Sequence, residues 1–186
     1  MLHLGPDPLY DFVKQLGNER DRGYVLMAHA FIDERLQELL EKAILEQPKN
    51  MRAVLRELFK GNNPLEGFPA RVQYAKRLYR IPKKLVNTLK KFNNLRNGFA
   101  HRARCGELCQ EDVDTVYRAM SAPDQAVVDD MADFWHFDGL SNACTQFMAV
   151  TAHIYCELDH LPLHKTLPTS QSQSDAEKTA PHPPPT

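Results

Sequence analysis

The chain has 186 residues, enough for one domain with a substantial core plus a tail. Lys and Arg total 23 against 24 Asp and Glu, a net charge of −1, so the cationic excess of a dedicated duplex-DNA binder is missing and direct duplex-DNA binding is not expected. The start "MLHLGPDPLY" has no signal-peptide pattern and no stretch is apolar enough to span a bilayer, while Cys105, Cys109, Cys144 and Cys156 lack disulfide-framework or CxxC spacing, which together predict a cytoplasmic protein with reduced thiols.

Helical periodicity dominates and no period-2 strand is evident. A short helix is predicted over 8–17, stopping at Gly17, so that residues 1–18 form an N-terminal element. The stretch 19–47, "ERDRGYVLMAHAFIDERLQELLEKAILEQ", reads as a long helix ending before Pro48. Residues 50–59 form a short helix ending at Gly61, and "NPLEGFPARVQYAKRLYRI" opens with turn chemistry before running helical to about Tyr79. Pro82 suits the first turn of the next helix, "KKLVNTLKKFNNLRNGFAHRA". A shorter helix covers Asp112 to Met120, and a long one about Gly139 to Leu161. Between them, Trp135 anchors a loop or short helix to the core. The segment 163–186, rich in Pro, Ser, Thr and Gln, is expected to be disordered. The result is an all-α protein, an antiparallel helical bundle in one domain over 19–162.

Two charges sit where apolar residues are expected. At about 100° per residue, Leu85, Leu89, Phe92, Leu95, Phe99, Ala100 and Ala103 share one arc, and Arg96 falls inside it. Lys90, Asn94, Asn97 and His101 form a separate polar strip. On the long helix, Val25, Leu26, Ile32, Leu36, Leu39, Leu40, Ala43 and Ile44 make the buried face, with His29 and Asp33 within it. An unpaired charge on a buried face costs several kcal/mol, of order 3–5 when a partner is removed. The expected solution is an Asp33–Arg96 charge pair with His29 nearby. Such a pair either fixes helix register or holds Arg96 so that its outer edge faces a phosphate.

"RNGFAH" (96–101) has the form Arg-polar-x3-His and resembles the Rx4–6H motif of the HEPN superfamily, all-helical domains of toxins, defence proteins and RNA-processing enzymes. The longer stretch 58–101, "LFKGNNPLEGFPARVQYAKRLYRIPKKLVNTLKKFNNLRNGFAH", resembles the central segment of the mannitol operon repressor family, and the preceding "FIDERLQELLEKAIL" is similar to its long helix. Pro69 departs from that pattern, where the family more often has Ser or Thr, and is expected to alter only the helix start. The resemblance implies an antiparallel helical bundle, often dimeric. It also implies either a regulator lacking a DNA-binding element of its own or a metal-independent endoribonuclease, whose catalytic residues would be Arg96, Asn97 and His101.

The chemistry of RNA cleavage suits those residue types. His101 can act as base or acid near neutral pH, Arg96 can stabilise charge on the phosphoryl oxygens, and Asn97, one turn before His101, can orient the imidazole or hydrogen-bond a phosphate oxygen. One histidine per motif leaves the acid–base pair incomplete, so a catalytic site requires a homodimer that joins two motifs. Lys90, Lys91, Arg102 and Arg104 would form a basic rim for RNA, although cations at a helix C-terminus also favour the dipole. His101, Cys105 and Cys109 have i, i+4, i+8 spacing, but Gly106 interrupts the helix and no fourth ligand is evident. His153 and His160 read as surface or core histidines, and neither a cofactor nor a metal is expected. The leading reading is a mannitol-repressor-like regulator that acts through a protein partner. A HEPN endoribonuclease and an inactive structural dimer are the alternatives.

Overall fold

A computed structural model describes residues 9, 11, 12, 14, 21–46, 67–101, 107–135 and 140–162. The predicted helix at 50–59, the tail from 163 and the rim residues Arg102 and Arg104 lie outside the described residues, as does most of the predicted helix 8–17.

All the regular secondary structure of the described residues is helical, with no strand among them: α1 (Asp21–Leu45), α2 (Phe68–Tyr79), α3 (Lys83–His101), α4 (Gln110–Tyr117), α5 (Ala122–Phe134) and α6 (Asn142–Asp159). The all-α expectation is therefore met, and no helix among them is long and apolar enough to cross a membrane.

Helix α1 is the central element, packing on α2, α3 and α6. Its buried stripe is the predicted one, with Val25, Ile32, Leu36, Leu39, Leu40, Ala43 and Ile44 in the core, joined by Tyr24 and Ala28. Leu26 is only half-buried. Pairwise contacts give the helix directions. Arg22 reaches Ala100 and His29 reaches Asn93, so α1 and α3 are antiparallel. Arg71 meets Asp33 and Tyr79 meets Leu39, so α2 runs with α1. Phe31 stacks on Tyr155 and Arg35 pairs with Asp159, so α6 also runs with α1. The bundle is antiparallel about α3, whereas α1, α2 and α6 share a direction.

Local chemistry explains the boundaries. Gly67 caps α2 and Pro69 sits in its first turn, where an amide hydrogen would have no intrahelical acceptor. Arg80 ends α2 in the left-handed region (φ 51°, ψ 42°), and Ile81 precedes Pro82, which disfavours helix there. Two helices are thereby joined by a three-residue connection, Arg80 to Pro82. Pro82 lies just before α3 rather than within it, its carbonyl accepting from the Val86 amide at 3.1 Å. The 13-residue α5 occupies the region read as a loop or short helix. Ser121 and Asp124 form a reciprocal capping box at its start, and Trp135 caps its end and packs against the core.

The largest core side chains join the helices. Phe92 of α3 stacks against Phe147 of α6 at 5.5 Å, and Phe31 lies between Phe12 and Tyr155 at 4.0 and 4.7 Å. Phe12 thus ties the described N-terminal residues to α1.

Candidate functional site

The site is built where α2 and α3 pack on the first half of α1. Asp33 is half-buried on α1, and its partner is Arg71 of α2: Arg71 Nη1 donates to Asp33 Oδ2 at 2.5 Å. The expected Asp33–Arg96 pair is not formed. Arg96 Nη1 instead donates to Asn97 Oδ1 at 3.1 Å. The reason is tertiary. Arg71, three positions after Phe68 in the first turn of α2, faces Asp33 directly, so the carboxylate is neutralised from the α2 side. The pair uses one bond only, since Asp33 Oδ1 and Arg71 Nε are buried without a hydrogen-bond partner among the described residues.

His29 lies one helical turn before Asp33. It is 8% exposed, packs against Phe68 and Phe92, and its Nε2–H donates to Asn93 Oδ1 at 3.0 Å. An amide oxygen can only accept, so this bond requires a proton on Nε2. Its pKa is lowered from the usual 6.5, chiefly because burial disfavours the imidazolium. Asn93 and the Asp33 carboxylate act in the opposite direction, and Arg96 and Arg71 act with burial. Asp33, Arg96, Arg71 and Asn93 thus all act on His29, the last two being residues the helical wheel did not supply.

The motif residues separate along α3. Arg96 and Asn97 are half-buried and bonded to each other, whereas His101, the last residue of α3, is exposed. Five residues on an ideal helix turn through about 500°, which leaves Arg96 and His101 about 140° apart. Phe99, fully buried between them, holds that orientation. His101 makes no side-chain hydrogen bond to Asn97, whose amide oxygen faces Arg96. At the same end of α3, Arg22 of α1 donates to the Ala100 carbonyl at 3.4 Å, using an acceptor that the helix end leaves open.

Charge along α2 and α3 is one-sided. From Gly67 to His101 the sequence has no Asp or Glu. Lys76, Arg77, Arg80, Lys83, Lys84, Lys90 and Lys91 are all exposed there. Of the predicted rim, Lys90 and Lys91 belong to this surface. The balanced net charge conceals it, because the acids lie elsewhere in the chain. Counting charge by segment rather than over the whole chain finds it. Beside Lys90, a groove of about 250 Å³ is lined by Phe68, Pro69, Val72, Gln73, Asn93 and Asn94. Pro69 thus shapes this groove as well as the helix start. Asn93 also bonds His29, so the groove wall and the buried histidine are directly connected.

Cys109, weighed with His101 as a zinc ligand, caps α4, and its thiol donates to Asp112 Oδ2 at 3.2 Å. Cys105 lies outside the described residues. Comparison of the chain with protein-family models, with curated proteins and with solved structures found no match.

Proposed function

We propose that the chain is a regulator of the mannitol-operon-repressor type, a helical and dimeric interaction module that acts on transcription by contacting an acidic protein partner. The single observation that favours regulation over catalysis is that Arg96, which a dimeric site would also need as its phosphate clamp, is already held within its own chain. Arg96 is engaged by Asn97 in a half-buried position while His101 points elsewhere, so one chain holds no convergent base, acid and phosphate clamp. The acid-free, cationic α2–α3 segment supports an acidic partner, because charge of one sign steers encounter with the opposite sign.

A second reading, a metal-independent HEPN endoribonuclease in the cytoplasm, draws on a different observation. His101 is exposed at the end of a helix that carries only positive charge. Two such ends meeting across a two-fold axis would supply both an acid and a base.

The decisive experiment compares transcript levels in cells with and without the chain. In parallel, purified wild type and His101→Ala are incubated with cellular RNA in EDTA. Regulation is supported by a His101-independent change in a defined set of transcripts with no cleavage. Products ending in 2′,3′-cyclic phosphate that disappear in a folded His101→Ala protein would overturn it in favour of the ribonuclease.

A further inference from the structure

The geometry points to a divalent transition-metal site, remote from the α3 motif, formed by Asp124 of α5 with His153 and Glu157 of α6. The donor atoms of these residues lie within 4.8 Å of one another. His153 and Glu157 are i, i+4 on one helix and share a face. Asp124 is brought opposite them because α5 packs along α6.

His153 is the observation that turns proximity into a site. It is 8% exposed, and its Nε2 has no hydrogen-bond partner among the described residues. That nitrogen stands 3.5 Å from Asp124 Oδ1, within ion-pair distance but not hydrogen-bonded to it. A buried polar atom left unbonded is costly, so one in a native core calls for an explanation. Ligand atoms held at about 2.0–2.1 Å from a tetrahedral zinc ion are about 3.3–3.4 Å from each other. The observed imidazole–carboxylate separation of 3.5 Å is close to that edge, and a Glu157 carboxylate oxygen lies within 4.8 Å of both.

The carboxylates are suited to the same role. Asp124 Oδ2 accepts from the Ser121 amide at 3.1 Å as part of the α5 cap, which orients Oδ1 toward His153 as an outer contact orients a ligand. Glu157 and Asp124 are both partly exposed, leaving an approach from solvent and room for a water as fourth ligand. Two carboxylates and a neutral imidazole balance the charge of a dication. A mixed nitrogen and oxygen set selects zinc and its neighbours rather than calcium or magnesium. Bound there, the ion would clamp the start of α5 to the middle of α6.

The test uses the full chain, dialysed against EDTA and titrated with zinc chloride by calorimetry and by thermal unfolding. One saturable equivalent and a Tm that rises by several degrees at saturation are expected. Glu157→Gln and Asp124→Asn, chosen because neither removes a core side chain, should each weaken binding at least about tenfold and abolish most of the Tm rise while leaving the helical circular-dichroism signal intact. Cobalt(II) in place of zinc should give a visible d–d spectrum without a thiolate charge-transfer band. Absence of a saturable site in wild type would overturn the assignment. So would undiminished affinity in both variants, which would place the ion on other histidines, or a thiolate band, which would place it on cysteine.

Discussion

Removing the Asp33 carboxylate is the sharpest probe of how the site is held. The side chains of Asp33 and Arg71 are 27% and 14% exposed. Breaking a fully buried pair costs about 3–5 kcal/mol, whereas an exposed pair contributes about 0–1 kcal/mol. A half-buried pair joined by one bond falls between these limits, so Asp33→Ala should destabilise the fold by about 2 kcal/mol. Much of that cost is the guanidinium left uncompensated. For a domain of this size, it corresponds to a fall in Tm of about 4–8 °C. Urea denaturation followed at 222 nm, applied to Asp33→Ala, Arg71→Ala and the double variant, isolates the interaction. A coupling of about 1–2 kcal/mol is expected between these two residues. The same cycle with Arg96→Ala should be additive within about 0.5 kcal/mol. A coupling to Arg96 as large as that to Arg71 would refute the pairing and restore the one expected from the helical wheel.

Two further outcomes follow from buried polar groups. Because burial lowers the His29 pKa, the unfolded chain takes up this proton first as pH falls. The stability conferred by neutral His29 is complete above the unfolded value of 6.5 and is lost as pH falls from there through the lower folded value. Wild type should therefore lose more stability between pH 7.5 and 5.5 than His29→Gln, measured by denaturant titration at each pH, and equal losses would refute the assignment. Tyr24 and Tyr79 offer a contrast: the buried Tyr24 hydroxyl has no hydrogen-bond partner among the described residues, whereas Tyr79 donates to the Leu39 carbonyl at 2.6 Å. Tyr24→Phe should be neutral or slightly stabilising and Tyr79→Phe should cost about 1 kcal/mol, and the reverse order in urea midpoints would overturn both assignments.

Much of this protein is legible in the sequence because helical burial is a local, periodic property. The apolar spacing of α1 and α3 identifies their core faces, and it places Arg96 within the apolar arc, where the structure leaves it half-buried, and Asn97 and His101 on another strip. Asp33 stands out as a charge needing a partner for the same reason. Periodicity does not say which partner. Arg71 and Arg96 are both arginines on helices that pack against α1, and only the direction and register of α2 put Arg71 against the carboxylate. Asn93 likewise reads as one of several polar residues on α3 until α1 brings His29 to it. The α5 helix carried a usable local signal in Ser121, Pro123 and Asp124, a cap followed by a first-turn proline and acid. His153 carried none, since its spacing suits core and surface equally.

The sequence by itself therefore determined the helices, their buried faces, the charge that required neutralising and the absence of acid from Gly67 to His101. The tertiary structure alone decided which cation meets Asp33, which way Arg96 turns and which acid faces His153. Helix formation and amphipathicity depend on neighbours within a few positions, whereas each of these pairings joins residues on separate helices. Their meeting is a property of packing, and no local pattern encodes it.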